Sequence, residues 1–159
     1  MISRLVFHSL LLTKKAQIMY VKDYMQAIIM TVSPNDSLSK ARQTMDELLI
    51  RHLPVVVEGH RLVGLLTDRD IRHADTSSHS HLTDQERREA LHEISVSDVM
   101  TRQLHTVCPE TALMEAAVMF LEQKFDCLPV VDEAGTLKGL ITVSDFVRVY
   151  IEQHASVIF

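Results

Sequence analysis

Two acids follow a threonine at the same spacing, each directly behind an apolar run: Thr67 and Asp70 in GLLTDRD (64–70), Thr142 and Asp145 in GLITVSD (139–145). Such a pair does two kinds of chemistry. At a helix start it is a reciprocal cap: the hydroxyl accepts from a first-turn amide, and the carboxylate suits the positive end of the helix dipole. A carboxylate in that place also accepts charge-assisted hydrogen bonds from both hydroxyls of a cis-diol, while the neighbouring helix N-terminus offers amides to a phosphate. One residue pair can serve both ends.

The elements that must position these pairs come twice. An offset of 75 residues takes Val21 onto Val96 and lays residues 21–71 over 96–146 without a gap. VKDYM falls on VSDVM, TVSP on TVCP, LPVV on LPVV, and GLLTDRD on GLITVSD; nineteen of the 51 aligned positions are identical, so the chain is an internal duplication. In each copy a short extended piece (Thr31-Val32; Thr106-Val107) ends at Pro34 or Pro109. A helix follows, with Leu38, Ala41, Met45 and Leu48 at helical spacing in one copy and Leu113, Ala116, Ala117, Phe120 and Leu121 in the other. Two strands joined by a tight turn come next, continuously apolar and so suited to burial on both faces. A second helix starts at each Thr-x-x-Asp. The unit is β-α-β-β-α, twice, an α+β architecture.

Between the copies, residues 73–95 begin polar and His-rich, which reads as a loop, and continue as TDQERREALHEI, which reads as a short helix opened by a Thr83-x-x-Glu86 capping box. The expected division is an extension over 1–19, one unit over 20–74, a polar linker over 75–95, a second unit over 96–152 and a tail over 153–159. The first 19 residues contain no acid and lack the long apolar core and small-residue cleavage site of a signal peptide. They read as a helical extension packed on the domain or its partner, or as translated sequence ahead of a start at Met19.

The bulk numbers narrow the function classes. The chain has 159 residues, 47% of them hydrophobic, and a formal net charge of −5. A mildly acidic chain without a basic block is a poor match for nucleic acid, which demands clustered Lys and Arg. No apolar run approaches the roughly 18–20 residues of a membrane span. Cys108 and Cys127 form no CxxC and read as reduced thiols in a cytoplasmic protein. His79-x-His81 has metal-ligand spacing but no third ligand beside it, and no metal is assigned. There is no nucleophile elbow, P-loop or G-x-G-x-x-G, so no catalytic set and no enzyme is expected.

The ordered set TV-x-P, LPVV and G-h-h-T-x-x-D (h apolar), occurring twice over residues 20–152, resembles a tandem pair of CBS domains, named after cystathionine β-synthase. The His-bearing insert also resembles small bacterial proteins of the acetoin-utilisation type. The resemblance implies two units packed through their sheets about a pseudo-twofold axis. It implies two clefts between them that hold an adenosine-containing regulatory ligand such as AMP, ADP, ATP or S-adenosylmethionine, with no further cofactor. It also implies a homodimer, in this family often a flat disc, that signals to an unidentified regulated protein in trans. The alternative is an interaction scaffold whose clefts are vestigial.

On that resemblance Asp70 and Asp145 bond ribose, with Thr67 and Thr142 on ribose or phosphate. The adenine slot is expected from Thr31, Val32, Pro54 and Val55 in one copy and from Thr106, Val107, Pro129 and Val130 in the other. The copies differ where phosphate belongs. The first has Arg69, Arg72, Arg51 and His52; the second has Val143, Ser144, Asp126 and Cys127, with Arg148 a turn later. Arginine forks onto phosphate oxygens, so the first cleft is expected to favour a phosphorylated ligand and the two sites to be unequal.

Overall fold

A computed structural model describes residues 18–78 and 83–154. The first copy forms α1 (Leu38–Leu48), β1 (His52–Val57), β2 (Arg61–Thr67) and α2 (Asp68–Ser78). The connecting segment adds α3 (Asp84–Glu93), and the second copy opens with the single turn α4 (Val96–Val99). The second copy forms α5 (Leu113–Gln123), β3 (Cys127–Val131), β4 (Leu137–Thr142) and α6 (Val143–His154). Strands β1 and β2 pair antiparallel, as do β3 and β4, with bulges at equivalent places, Val55/Val56 and Val130/Val131.

The extended pieces ahead of the first helices join their sheets through one parallel bridge each. Val32 N–H donates to the Pro54 carbonyl at 3.1 Å, and Val56 N–H donates to Val32 at 2.9 Å; Val107, Pro129 and Val131 repeat this at the same distances. The local signals act as expected. Ser37 caps α1 by accepting from the Lys40 amide. Thr83 and Glu86 form the reciprocal box that opens α3. The linker differs from expectation in one respect: HADTSS is not a loop but the last turns of α2, which runs from Asp68 to Ser78. Ile71 is buried in the first core and Ala74 packs against it, so tertiary contact overrides weak polar helix formers. His79 and His81, and most of the 1–19 extension, lie outside the described residues.

Each copy has its own core, and the copies trade their leading segments. Val21 is buried among Val107, Leu113, Ala116, Phe120, Leu128, Val130, Ile141 and Val149, with Met19, Tyr24 and Met25 against them. Conversely Leu91, Val96 and Met100 are buried among Leu38, Ala41, Leu53, Val55 and Leu66. Backbone bridges seal the exchange: Tyr20 to Ala112 and Gln26 to Leu140 on one side, Ser37 to Ser95 and Leu65 to Thr101 on the other. Arg61 pairs with Thr136, where the two hairpins meet. Of the apolar helix positions read from sequence, Leu48 and Leu121 are exposed rather than core.

Candidate functional site

Both Thr-x-x-Asp pairs sit where a strand becomes a helix. Asp70 Oδ2 accepts from the Thr67 amide at 2.9 Å and its hydroxyl at 2.7 Å, and the Asp70 amide donates back to Thr67 Oγ1. Asp145 Oδ2 accepts the same two bonds from Thr142, both at 2.8 Å. Both carboxylates thus hold their threonine's amide and hydroxyl, and the reciprocal bond from the acid's own amide is formed at Thr67–Asp70.

The two acids differ in what reaches them from elsewhere. Asp145 is only 1% exposed. Its Oδ1 accepts from Gln26 Nε2 at 3.2 Å and faces Arg148 at 3.4 Å. Gln26 arrives because the exchanged leader bridges Leu140. Thr101 holds the equivalent place opposite Leu65, and its shorter side chain carries no amide to offer Asp70, which stays half-buried. Contact of a ribose with Asp145 therefore requires Gln26 to yield.

Above Asp145 lies a cleft of about 550 Å³. One wall is apolar: Ile28, Ile29, Met30, Leu48, Leu49 and Ile50. The opposite wall holds Thr142, Val143 and Ser144 at the α6 N-terminus, with Gln26, Arg51, His52 and Asp126 around it. His52 Nε2 and Asp126 Oδ1, 3.2 Å apart, tie the two copies together at this rim.

Several residues expected at the site lie outside this cleft. Val32, Val55, Val107 and Val130, expected to line adenine slots, are buried in the two cores, as are Pro54 and Pro129. The apolar wall of the cleft described above is that of residues 28–30 and 48–50. Thr31 follows that wall directly and is half-buried, while Thr106 is exposed. Arg51 and His52 sit beside their own motif, with the Asp68 amide donating to the Arg51 carbonyl at 3.0 Å and His52 paired with Thr67, and both also line the cleft at Thr142–Ser144. The residues of the two copies thus share this cleft, Arg51 and His52 from the first and Thr142–Ser144 from the second. Arg69 is exposed on the first turn of α2, Arg72 pairs with Asp68 at 3.0 Å, and Arg148 is held by Asp145. Gln26 and residues 28–30 are the residues sequence reasoning missed; the repeat gave no sign of them, because that stretch (QAIIM against TRQLH) is where the copies diverge.

The fold and the doubled motif are matched by the family model described as "CBS domain", over residues 21–77 and 96–152. The chain belongs to the CBS-domain family. An inosine-5'-monophosphate dehydrogenase of Korarchaeum cryptofilum is 37% identical over 83% of this chain but only 23% of its own length. The chain thus spans about a quarter or less of the first curated relatives it matches. The crystal structure of a putative acetoin utilization protein (AcuB) from Vibrio cholerae superposes with a TM-score of 0.72 at 31% identity, covering 86% of this chain and 93% of that one. CBSX2 in complex with AMP gives 0.70 at 31%, over 84% and 96%. The CBS domain pair of MJ0100, in complex with 5'-methylthioadenosine and S-adenosyl-L-methionine, gives 0.71 at 26%, over 86% and 99%. The architecture is a CBS pair, α+β. No helix among the described residues is long and apolar enough to cross a membrane.

One consequence concerns the thiols. Burial pushes the Cys127 thiol up to about 12, helped by the nearby charges of Asp126 and Asp145, whereas Cys108 is exposed. Only a thiolate attacks an alkylating agent. At pH 8, iodoacetamide is expected to modify Cys108 alone in the native chain and both cysteines after denaturation, read by intact mass.

Proposed function

We propose that this chain is a regulatory sensor that holds an adenosine-containing ligand in the cleft between its two CBS units, acts as a homodimer and signals to a partner protein in trans. The observation that carries the reading is the make-up of the cleft. A flat apolar base suits Ile29, Met30 and Ile50, while the opposite wall offers Thr142, Ser144, the α6 N-terminus and Arg51 to a sugar and its phosphate. Neighbours at 26–31% identity carry AMP, or 5'-methylthioadenosine and S-adenosylmethionine, as ligands. The two clefts are unequal: Gln26 lies against Asp145 in this one, and Thr101, 75 residues later, carries no amide to offer Asp70.

The test is thermal unfolding and calorimetry with adenosine, AMP, ADP, ATP and S-adenosylmethionine. At least one is expected to raise the unfolding temperature by several degrees at ~100 times its Kd. Arg51→Ala is expected to weaken the phosphorylated ligands roughly 10–100-fold, the value of a charge-assisted bond, and to leave adenosine unchanged. No stabilisation by any of the five at millimolar concentration would sink the sensor reading and favour an interaction scaffold.

A further inference from the structure

A second cavity, of about 520 Å³, lies between α1, α2 and α3 and shares no lining residue with the cleft above Asp145. Its lining is mostly ionic: Arg42, Asp46 and Glu47 from α1, Asp75 from α2, and Arg87 and Arg88 from α3. Guanidinium groups and carboxylates meet there in equal number. Part of that charge is already matched. Arg42 Nη1 and Asp75 Oδ2 pair at 2.8 Å, and Glu47 Oε1 accepts from Gln43 Nε2 at 2.7 Å. Arg87 is different. Its side chain is half-buried, and its Nε is buried without a hydrogen-bond acceptor among the described residues. A guanidinium stays charged in a protein, and a buried donor left unpaired costs free energy. The helix that presents it is fixed, because Leu91 of α3 is buried in the first core. Nor does the fold ask for these charges. The residues 75 positions after Ser39, Arg42, Gln43, Asp46 and Asp75 are Met114, Ala117, Val118, Leu121 and Tyr150, none of them charged.

We infer that this cavity is a second ligand site, for a small zwitterion that carries one carboxylate and one ammonium group, as a free amino acid does. The carboxylate answers Arg87, whose planar fork of donors matches it. The ammonium answers Asp46, an exposed carboxylate on the same cavity. The balance of charge disfavours the nearest rivals. A phosphate or a di-acid would bring extra negative charge to Asp46, Glu47 and Asp75, and a simple amine would meet Arg42, Arg87 and Arg88. The volume falls within the roughly 300–1,000 Å³ of small-molecule sites. Because the two cavities share no residue, this site stands or falls apart from the adenosine reading.

The full chain would be titrated by calorimetry, and its thermal unfolding followed, with alanine, serine, leucine and glutamine. Acetate, methylammonium and inorganic phosphate serve as comparators, each raised to about 10 mM so that millimolar affinities register. At least one amino acid is expected to bind. Acetate and methylammonium, each lacking one charged contact, are expected to bind at least about 10-fold more weakly. Arg87→Gln and Asp46→Asn are each expected to weaken the amino acid by at least about 10-fold as well. Circular dichroism checks the fold of both variants. Asp46 is exposed, so Asp46→Asn carries the test if Arg87→Gln does not fold. Neither heat nor a rise in unfolding temperature with any of the four amino acids would leave Arg87 to water and overturn the site. Acetate or phosphate binding as tightly as the amino acids, or full affinity in the folded variants, would overturn it equally.

Discussion

Asp145→Ala is expected to destabilise the fold by about 3 kcal/mol, and Asp70→Ala by only about 1 kcal/mol, although both acids occupy the same place in the repeat. Each carboxylate accepts from the amide and hydroxyl of its threonine, and losing a cap costs ~1 kcal/mol. At Asp70 that is the whole account: the carboxylate bonds Thr67 and is half-buried. At Asp145 the side chain is 1% exposed, and Gln26 donates to it from the exchanged leader. Hydrogen bonds to a charged group are worth about 1.5–3 kcal/mol, and removing the acceptor leaves the Gln26 amide and part of Arg148 without their partner. For a chain of this size 1 kcal/mol is roughly 2–4 °C. Thermal unfolding followed by circular dichroism should thus fall by about 6–12 °C for Asp145→Ala and about 2–4 °C for Asp70→Ala. Equal losses would mean that Gln26 and Arg148 add nothing to the cap. Asp145→Asn, which keeps one acceptor for Thr142, is expected in between.

That asymmetry marks the boundary of what a linear reading reaches. The Thr-x-x-Asp boxes, the Ser37 and Thr83 caps and the hairpins depend on residues a few positions apart, and the sequence shows them plainly. The duplication and the family followed from ordered local motifs. The contacts that shape the cleft are of another kind. Gln26 reaches Asp145 across 119 residues, and Arg51 lines one cleft together with Thr142 of the other copy. Both follow from the exchange of leaders, which no periodicity encodes: Val21 and Val96 are identical in type and place, and each is buried in the core of the opposite copy. The sequence groups Arg51 and His52 with their own motif, whereas this cleft draws them together with Thr142–Ser144 of the other copy. Leu48 and Leu121 failed as core residues because each continues an apolar spacing beyond the last residue its helix buries.

The same crossing makes one glycine far less replaceable than its twin. Gly139→Ala is expected to cost about 3 kcal/mol and Gly64→Ala about 1 kcal/mol, though the two occupy equivalent positions on β4 and β2. A methyl group at Gly139 would stand 2.6 Å from the Gln26 carbonyl oxygen and 3.0 Å from Met25 Sδ. That carbonyl is fixed: Gln26 and Leu140 exchange both backbone bonds, at 2.8 and 3.0 Å. Relief means breaking the bridge, so overpacking of ~1–3 kcal/mol falls at the upper end of its range. At Gly64 the nearest atoms all belong to the Met100 side chain, a flexible thioether that can turn aside. Because Gln26 and Leu140 also line the cleft, Gly139→Ala should weaken the adenosine ligand at least about 10-fold, for a loss near 1.4 kcal/mol, while Gly64→Ala leaves it unchanged. Urea unfolding gives the first comparison and calorimetry the second. Equal stability losses would show that the Gln26 bridge gives way as easily as a methionine side chain. A destabilised Gly139→Ala chain that still binds at full affinity would show that the leader is needed for the fold but not for the cleft.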